Sequence, residues 1–136
     1  MLDAMKLTMA YFDSKELKYE ANEERSVIEL RMGIENKGLF RILIIFDTDT
    51  IVNIRSYDFC QFPDDKKDTM FKVCSRVNAN YRWVKFFVDE EDNTITISND
   101  AVIQLDSCGE EIFELVFRMT GIAQDVYPTF MKALWA

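Results

Sequence analysis

Ser26-Val27-Ile28-Glu29-Leu30-Arg31-Met32-Gly33-Ile34-Glu35-Asn36-Lys37-Gly38-Leu39-Phe40-Arg41-Ile42-Leu43-Ile44-Ile45-Phe46 is the stretch whose spacing decides the fold. Ile28, Leu30, Met32 and Ile34 recur at every second position, with Glu29 and Arg31 between them. That is the period of a half-buried strand, because successive side chains of a strand point to opposite faces. Phe40, Ile42, Ile44 and Phe46 repeat the pattern against Arg41 and Asp47. Between the two runs, Glu35-Asn36-Lys37-Gly38 supplies a hairpin loop with glycine for the left-handed position. Leu43 and Ile45 carry apolar groups on the second face, so partial cover of that face is expected.

Working outward, Leu2, Met5, Met9 and Phe12 fall at helical steps, widened by Tyr11 and Leu17, and predict a first helix fading between Tyr19 and Asn22. Asp47 to Thr50 turns the chain into a third strand over Ile51–Phe59, in which Val52 and Ile54 alternate with Asn53 and Arg55. Pro63-Asp64-Asp65 signals a helix start, since proline and carboxylates suit the first turn. Met70, Val73, Cys74, Val77 and Tyr81 then form one stripe. Trp83–Val88 reads as a fourth strand, Asp89–Asn93 as a charged turn, and Thr94 to about Leu105 as a fifth strand. Ser107 with Glu110 has the spacing of a capping box before a final helix through Ile112, Leu115, Val116 and Met119. Gly121 and Pro128 are expected to bend or divide that helix before Phe130, Leu134 and Trp135 finish it. The order is α-βββ-α-ββ-α, an α+β chain forming one domain over residues 1–136.

Sixteen basic and twenty-four acidic residues give a net charge of −8. Such a field repels phosphate backbones and anionic lipid heads, so neither nucleic acid nor a membrane surface is the expected partner. It attracts basic polypeptide segments instead. Cys60, Cys74 and Cys108 are odd in number and widely spaced, and the chain has no histidine to complete a zinc site. They read as small apolar filler in a reducing compartment. The N-terminus lacks the basic and apolar succession of a leader, and the run Ile42–Phe46 is too short to span a bilayer. The expected location is the cytoplasm.

Two acidic turns are the candidates for chemistry. Asp89-Glu90-Glu91-Asp92-Asn93 has oxygen ligands at alternate positions, but Thr94 stands where a calcium loop needs glycine, and Asp100 where it needs the longer glutamate. Asp47-x-Asp49 resembles the minimal acidic pair of metal-dependent transferases, yet aspartate and threonine are ordinary turn residues. No catalytic, cofactor-binding or metal-ligating residue is assigned. A metal-dependent enzyme or small-ligand sensor using 47–49 or 89–92 stands as the alternative. Trp83, Phe86 and Phe87 resemble a stacking platform for bases, but the acidic balance opposes that and an aromatic strand is more often core. Phe71 lies about 100° around the second helix from Met70, off the stripe.

The run Val73-Cys74-Ser75-Arg76-Val77-Asn78-Ala79-Asn80-Tyr81-Arg82-Trp83-Val84-Lys85-Phe86-Phe87-Val88-Asp89, an apolar-Asn step ending a helix before a strand, resembles the YbjN-like family of bacterial sensory-transduction regulators. Leu17–Ile34 and the step Tyr127-Pro128 are similar to other parts of that family. The resemblance implies a fold like that of type III secretion chaperones: a five-stranded antiparallel sheet in the order 1-2-3-5-4, packed by helices, in a homodimer. Those chaperones bind extended segments of client proteins without enzymatic activity. The function implied is a non-enzymatic protein-interaction domain, chaperone-like or regulatory, binding a partner polypeptide segment. Asn78 matches the family's asparagine and reads as structural. On the same analogy, contact between two copies falls on Met70, Phe71, Val77 and Trp83.

Overall fold

The hairpin quoted above lies inside a six-stranded antiparallel sheet. A computed structural model describes every residue from Met1 to Ala136. In chain order it contains α1 (Asp3–Ser14), β1 (Glu20–Asn22), β2 (Val27–Ile34), β3 (Gly38–Phe46), β4 (Ile51–Ser56), α2 (Lys67–Asn80), β5 (Lys85–Asp89), β6 (Thr94–Val102) and α3 (Cys108–Trp135). The sheet order is β1-β2-β3-β4-β6-β5. The five expected strands are present in the implied order, and β1 is an added strand at the margin. Glu20-Ala21-Asn22 is exposed throughout, so no apolar alternation marks it; backbone pairing to Val27–Glu29 alone makes it a strand.

The period-two pattern sorts the sheet into two unlike faces. Ile28 pairs with Ile44, Leu30 with Ile42, Ile44 with Ile54, and Phe86 with Ile97, all on one side. These join Met5 and Phe12 of α1, Met70 and Val73 of α2, and Ile112, Val116 and Met119 of α3 in one apolar cluster. All three helices therefore cover the same face. Phe59 sits at the middle of that core, edge-to-face with Phe40, Phe86, Tyr127 and Phe130. Gly109 fixes the approach of α3 to α1: a Cβ there would stand 2.5 Å from Tyr11 Cβ and 3.3 Å from the Leu7 carbonyl oxygen.

Several boundaries differ from the sequence expectation, each for a local reason. The first helix stops at Ser14 instead of fading near Tyr19. Glu16 adopts φ 56°, Leu17 N–H donates to the Phe12 carbonyl (3.0 Å), and Glu16 N–H to the Asp13 carbonyl (3.1 Å). That is a complete Schellman stop with glutamate in the place usually held by glycine. The third strand ends at Ser56, where Asp58 (φ 58°) breaks the line. The chain then rejoins β6 through Phe59 N–H to the Ile95 carbonyl and Ile95 N–H to the Cys60 carbonyl. Trp83 and Val84 fall outside β5, and β6 ends at Val102.

The expected capping box is not formed. The chain enters α3 through a 3₁₀ turn (Leu105–Ser107), and it is Glu111 that accepts from Gln104 N–H (2.8 Å) and Ser107 Oγ (3.2 Å). Neither Gly121 nor Pro128 divides α3. Pro128 is exposed, as is Gln124 four residues earlier, so the carbonyl that loses its donor faces water. The hairpin loop follows expectation, with Asn36 at φ 68° and Gly38 at φ 99°.

A non-glycine residue held left-handed sacrifices about 1 kcal/mol. Glu16 is exposed, and relieving it is expected to outweigh the extra freedom glycine adds to the unfolded chain. Glu16→Gly should thus raise the thermal midpoint by a few degrees, read by differential scanning calorimetry; an unchanged or lower midpoint would contradict the Schellman assignment.

Candidate functional site

With the helices confined to one side, the opposite face of the sheet meets water and must be stable without a second layer. Its composition is a mosaic. Val27, Leu43 and Ile45 are half-buried, while Arg31 and Arg41 stand directly opposite one another in the β2–β3 register. Like charges facing across a strand pair are destabilising. Glu29 resolves the conflict: its carboxylate accepts from Arg41 Nε at 2.9 Å and from Arg31 Nε at 3.2 Å, with the second nitrogen of each guanidinium at 2.8 and 3.2 Å. The hydrogen bond from Arg41, above all, holds the Glu29 carboxyl below the usual carboxylate range, against the opposing effect of burial. Farther along the face, Arg55 pairs with Asp100 across β4 and β6.

Beside the bridged arginines lies an open groove of about 670 Å³. Its floor is Val27 and Leu43, and it is lined further by Ala21, by Glu20, Glu23, Glu24 and Glu29, and by Arg25 and Arg41. Only Glu29 among those carboxylates has a cation within ion-pair distance. The groove is therefore acidic with an apolar floor. In sequence the first helix fades between Tyr19 and Asn22, and nothing marks Glu20–Arg25 as a site except the crowding of charge between an apolar stripe and an alternating strand.

The acidic turns have structural duties. Asp49 Oδ1 accepts Ala4 N–H at 3.0 Å, capping the positive start of α1 from a loop 45 residues away in sequence. Asp47 Oδ2 accepts Asn53 Nδ2 at 3.0 Å. In the other turn, Asp89 Oδ1 accepts Glu91 N–H (3.1 Å) and Asp92 Oδ1 accepts Thr94 Oγ1 (2.6 Å), bonds within the turn itself. No three carboxylates or thiols converge on one point.

The proposed contact residues separate into two pairs. Met70 (0% exposed) and Val77 (5%) are packed in the core, on the stripe that seats α2 on the sheet. Phe71 (43%) and Trp83 (57%) are outward. Phe86 of the supposed stacking platform is core, and Phe87 lies on the uncovered face. Trp83 holds φ 65°, with Val84 N–H bonded to the Arg82 carbonyl at 2.7 Å around it: a γ-turn of positive φ, a strained form. The Arg118 guanidinium stacks on its indole, 4.5 Å from the ring centre.

Asn78 has a specific role. Its Nδ2 donates to the Phe86 carbonyl (2.9 Å) and its Oδ1 accepts Phe86 N–H (2.8 Å). One side-chain amide thus occupies the position of a neighbouring strand on the free side of β5, which is an outermost strand. The thiols of Cys60 and Cys74 are buried, which pushes both up to about 12 and leaves them protonated near neutrality.

The family model described as "Putative bacterial sensory transduction regulator" matches residues 9–122. The chain belongs to the YbjN family. Among solved structures it is similar to one described as YbjN, "a putative transcription regulator from E. coli", at a TM-score of 0.64 and 10% identity, covering 92% of both chains. It is also similar to a chain of the HopA1–SchA chaperone–effector complex, at a TM-score of 0.52 and 12% identity, covering 90% of this chain and 95% of that one. These likenesses establish a shared α+β fold. No curated protein matches in sequence. No helix is long and apolar enough to cross a membrane.

Two substitutions test the local chemistry. Asn78→Ala removes two hydrogen bonds and bares the β5 margin, which should lower stability by about 1–3 kcal/mol and promote association on warming, followed by urea titration and turbidity. Asn78→Asp, which keeps the acceptor and loses the donor, should fall between. Glu29 has a folded pKa below its unfolded value, so its stabilisation is fully present above the unfolded carboxyl pKa and lost as pH falls through the folded one. Glu29→Gln should therefore cost about 1 kcal/mol at neutral pH, with the gap to the native protein closing in acid. Urea midpoints across a pH series give the comparison; a gap independent of pH would remove the bridge from the account.

Proposed function

We propose that this chain is a non-enzymatic interaction domain of the cytoplasm, chaperone-like or regulatory, that holds an extended segment of another protein and works as a homodimer. The observation that carries the reading is the acidic groove on the uncovered face. Its floor of Val27 and Leu43 offers apolar contact, and Glu20, Glu23 and Glu24 have no cation partner of their own. A basic segment lying across it would gain both contacts, and the net charge of −8 would speed its approach. Membership in a regulator family and the fold shared with a chain of a chaperone–effector complex support this class of function. The alternative use of the acidic turns has less support, since Asp49 is engaged as a helix cap and Asp47 with Asn53.

For contact between two copies, Phe71 is the residue of choice: a large aromatic left outward on a helix whose stripe of Met70, Val73, Cys74 and Val77 is buried.

A photo-crosslinking side chain placed at Leu43 in cells should capture a second polypeptide, identified by mass spectrometry as the same protein in repeated preparations. Glu23→Lys with Glu24→Lys should reduce the yield severalfold. Absence of any adduct, or an adduct indifferent to those lysines, would refute the groove. Light scattering should give a dimer mass that Phe71→Lys lowers to that of a monomer. Calcium, magnesium and manganese should leave the melting temperature unchanged, whereas a shift abolished by Asp47→Asn would favour the metal reading.

A further inference from the structure

The sheet has a second place where backbone groups lack partners, and it is distinct from the groove. Ile103 N–H donates to the Thr50 carbonyl, which sets the alternation along β6: Ile97, Asn99 and Ala101 point their backbone groups toward β4, and Ser98, Asp100 and Val102 point away. On that outer side β5 pairs only as far as Lys85, opposite Ser98. The chain entering β5 does not continue the ladder, because the γ-turn at Trp83 diverts it. The N–H and C=O groups of Asp100 and Val102 consequently have no hydrogen-bond partner in the protein, and Val102 is 74% exposed.

This bare length of strand faces a helix. Between Ala101–Ile103 and α3 lies a slot of about 170 Å³, about the size of one side chain, with Leu115 at its base and Glu111, Glu114 and Arg118 on its helical wall. Arg118 carries the slot to Trp83, whose exposed indole stands at its end. Two carboxylates to one guanidinium make the wall acidic. On the same face as Ala101, two residues back, buried Asn99 has a side-chain nitrogen without an acceptor, a further unused donor at this end of β6.

We infer that the end of β6 accepts a partner polypeptide by strand addition. The occupant is an extended segment whose backbone pairs with Asp100 and Val102, whose apolar side chain fills the slot against Leu115, and whose flanking basic residue meets Glu114. Each part answers an observation: alternate free N–H and C=O groups form a template that an extended segment matches, the pocket admits one side chain, and the wall selects positive charge. Trp83, a rigid aromatic held outward by a strained turn, is the anchor at the far end. The site is separate from the groove of the proposed function and does not depend on it.

The test uses the full chain and a fluorescein-labelled heptapeptide of alternating lysine and valine. Fluorescence anisotropy should show saturable binding that weakens with salt, and nuclear magnetic resonance should show the Asp100 and Val102 amides becoming protected from exchange. Val102→Pro removes one of the outward donors at a place where proline is tolerated, and should weaken binding roughly tenfold. Val102→Thr, which keeps the donor, should bind like the native protein. Trp83→Ala should cost about fivefold. A peptide with glutamate in place of lysine should bind more weakly. The inference is overturned if the lysine peptide does not bind at millimolar concentration, if Val102→Pro binds as the native protein does, or if the protected amides lie elsewhere. Binding abolished by Glu23→Lys with Glu24→Lys and indifferent to Val102→Pro would uphold the groove and sink this site.

Discussion

The structure depends on one constraint: three helices cover one face of the sheet and none covers the other. A strand alternates its side chains without exception, so every residue that supports the core commits its neighbours to the opposite surface. Ile28, Leu30, Ile42 and Ile44 belong to the core, and Glu29, Arg31, Arg41 and Leu43 are therefore displayed. A displayed face with no second layer has to balance its own charges, which is why one glutamate stands between two arginines. The surface is stable in water and still has apolar area left over.

An open sheet also has margins, and this one treats them differently. At β5 the Asn78 amide supplies the missing strand's hydrogen bonds. At the other margin β1 covers only Val27–Glu29, so Arg31 and Gly33 extend past it, and the charged residues around Glu20–Arg25 guard the step. The remaining unpartnered length, Asp100–Val102, carries the Arg55–Asp100 ion pair beside an exposed valine, with an outward tryptophan at its end.

The parts of the fold legible in the sequence were those with a strong apolar period. The hairpin of β2 and β3 was visible in full, down to the left-handed glycine, because both strands alternate cleanly and the loop chemistry is specific. The last segment was expected to be bent or divided at Gly121 and Pro128, and it is one unbroken helix; Gln124 and Pro128, four residues apart, share its exposed side, where a carbonyl without its donor can meet water. Elements made by the backbone left no trace: β1 has no apolar residue larger than alanine, and the stop at Glu16 uses a residue with no preference for it. The candidate site was legible least of all. Glu20–Arg25 and Leu43 converge only once β1 folds back along β2, and Asp49 caps a helix whose start is far away in sequence. Of the contact residues implied by the resemblance, Met70 and Val77 lie on the buried stripe with Val73 and Cys74, while Phe71 and Trp83 are exposed.

The Asn78 clamp has an implication for motion. Because Phe86 exchanges hydrogen bonds with a helix side chain instead of a strand, the outermost strand and α2 are mechanically one piece. Fraying of the helix C-terminus would release the strand beside it, so the two should open as a single cooperative unit, leaving the hydrophobic row of β6 transiently bare. In this molecule the moment of greatest vulnerability to misassembly is set by how firmly a helix holds its last turn.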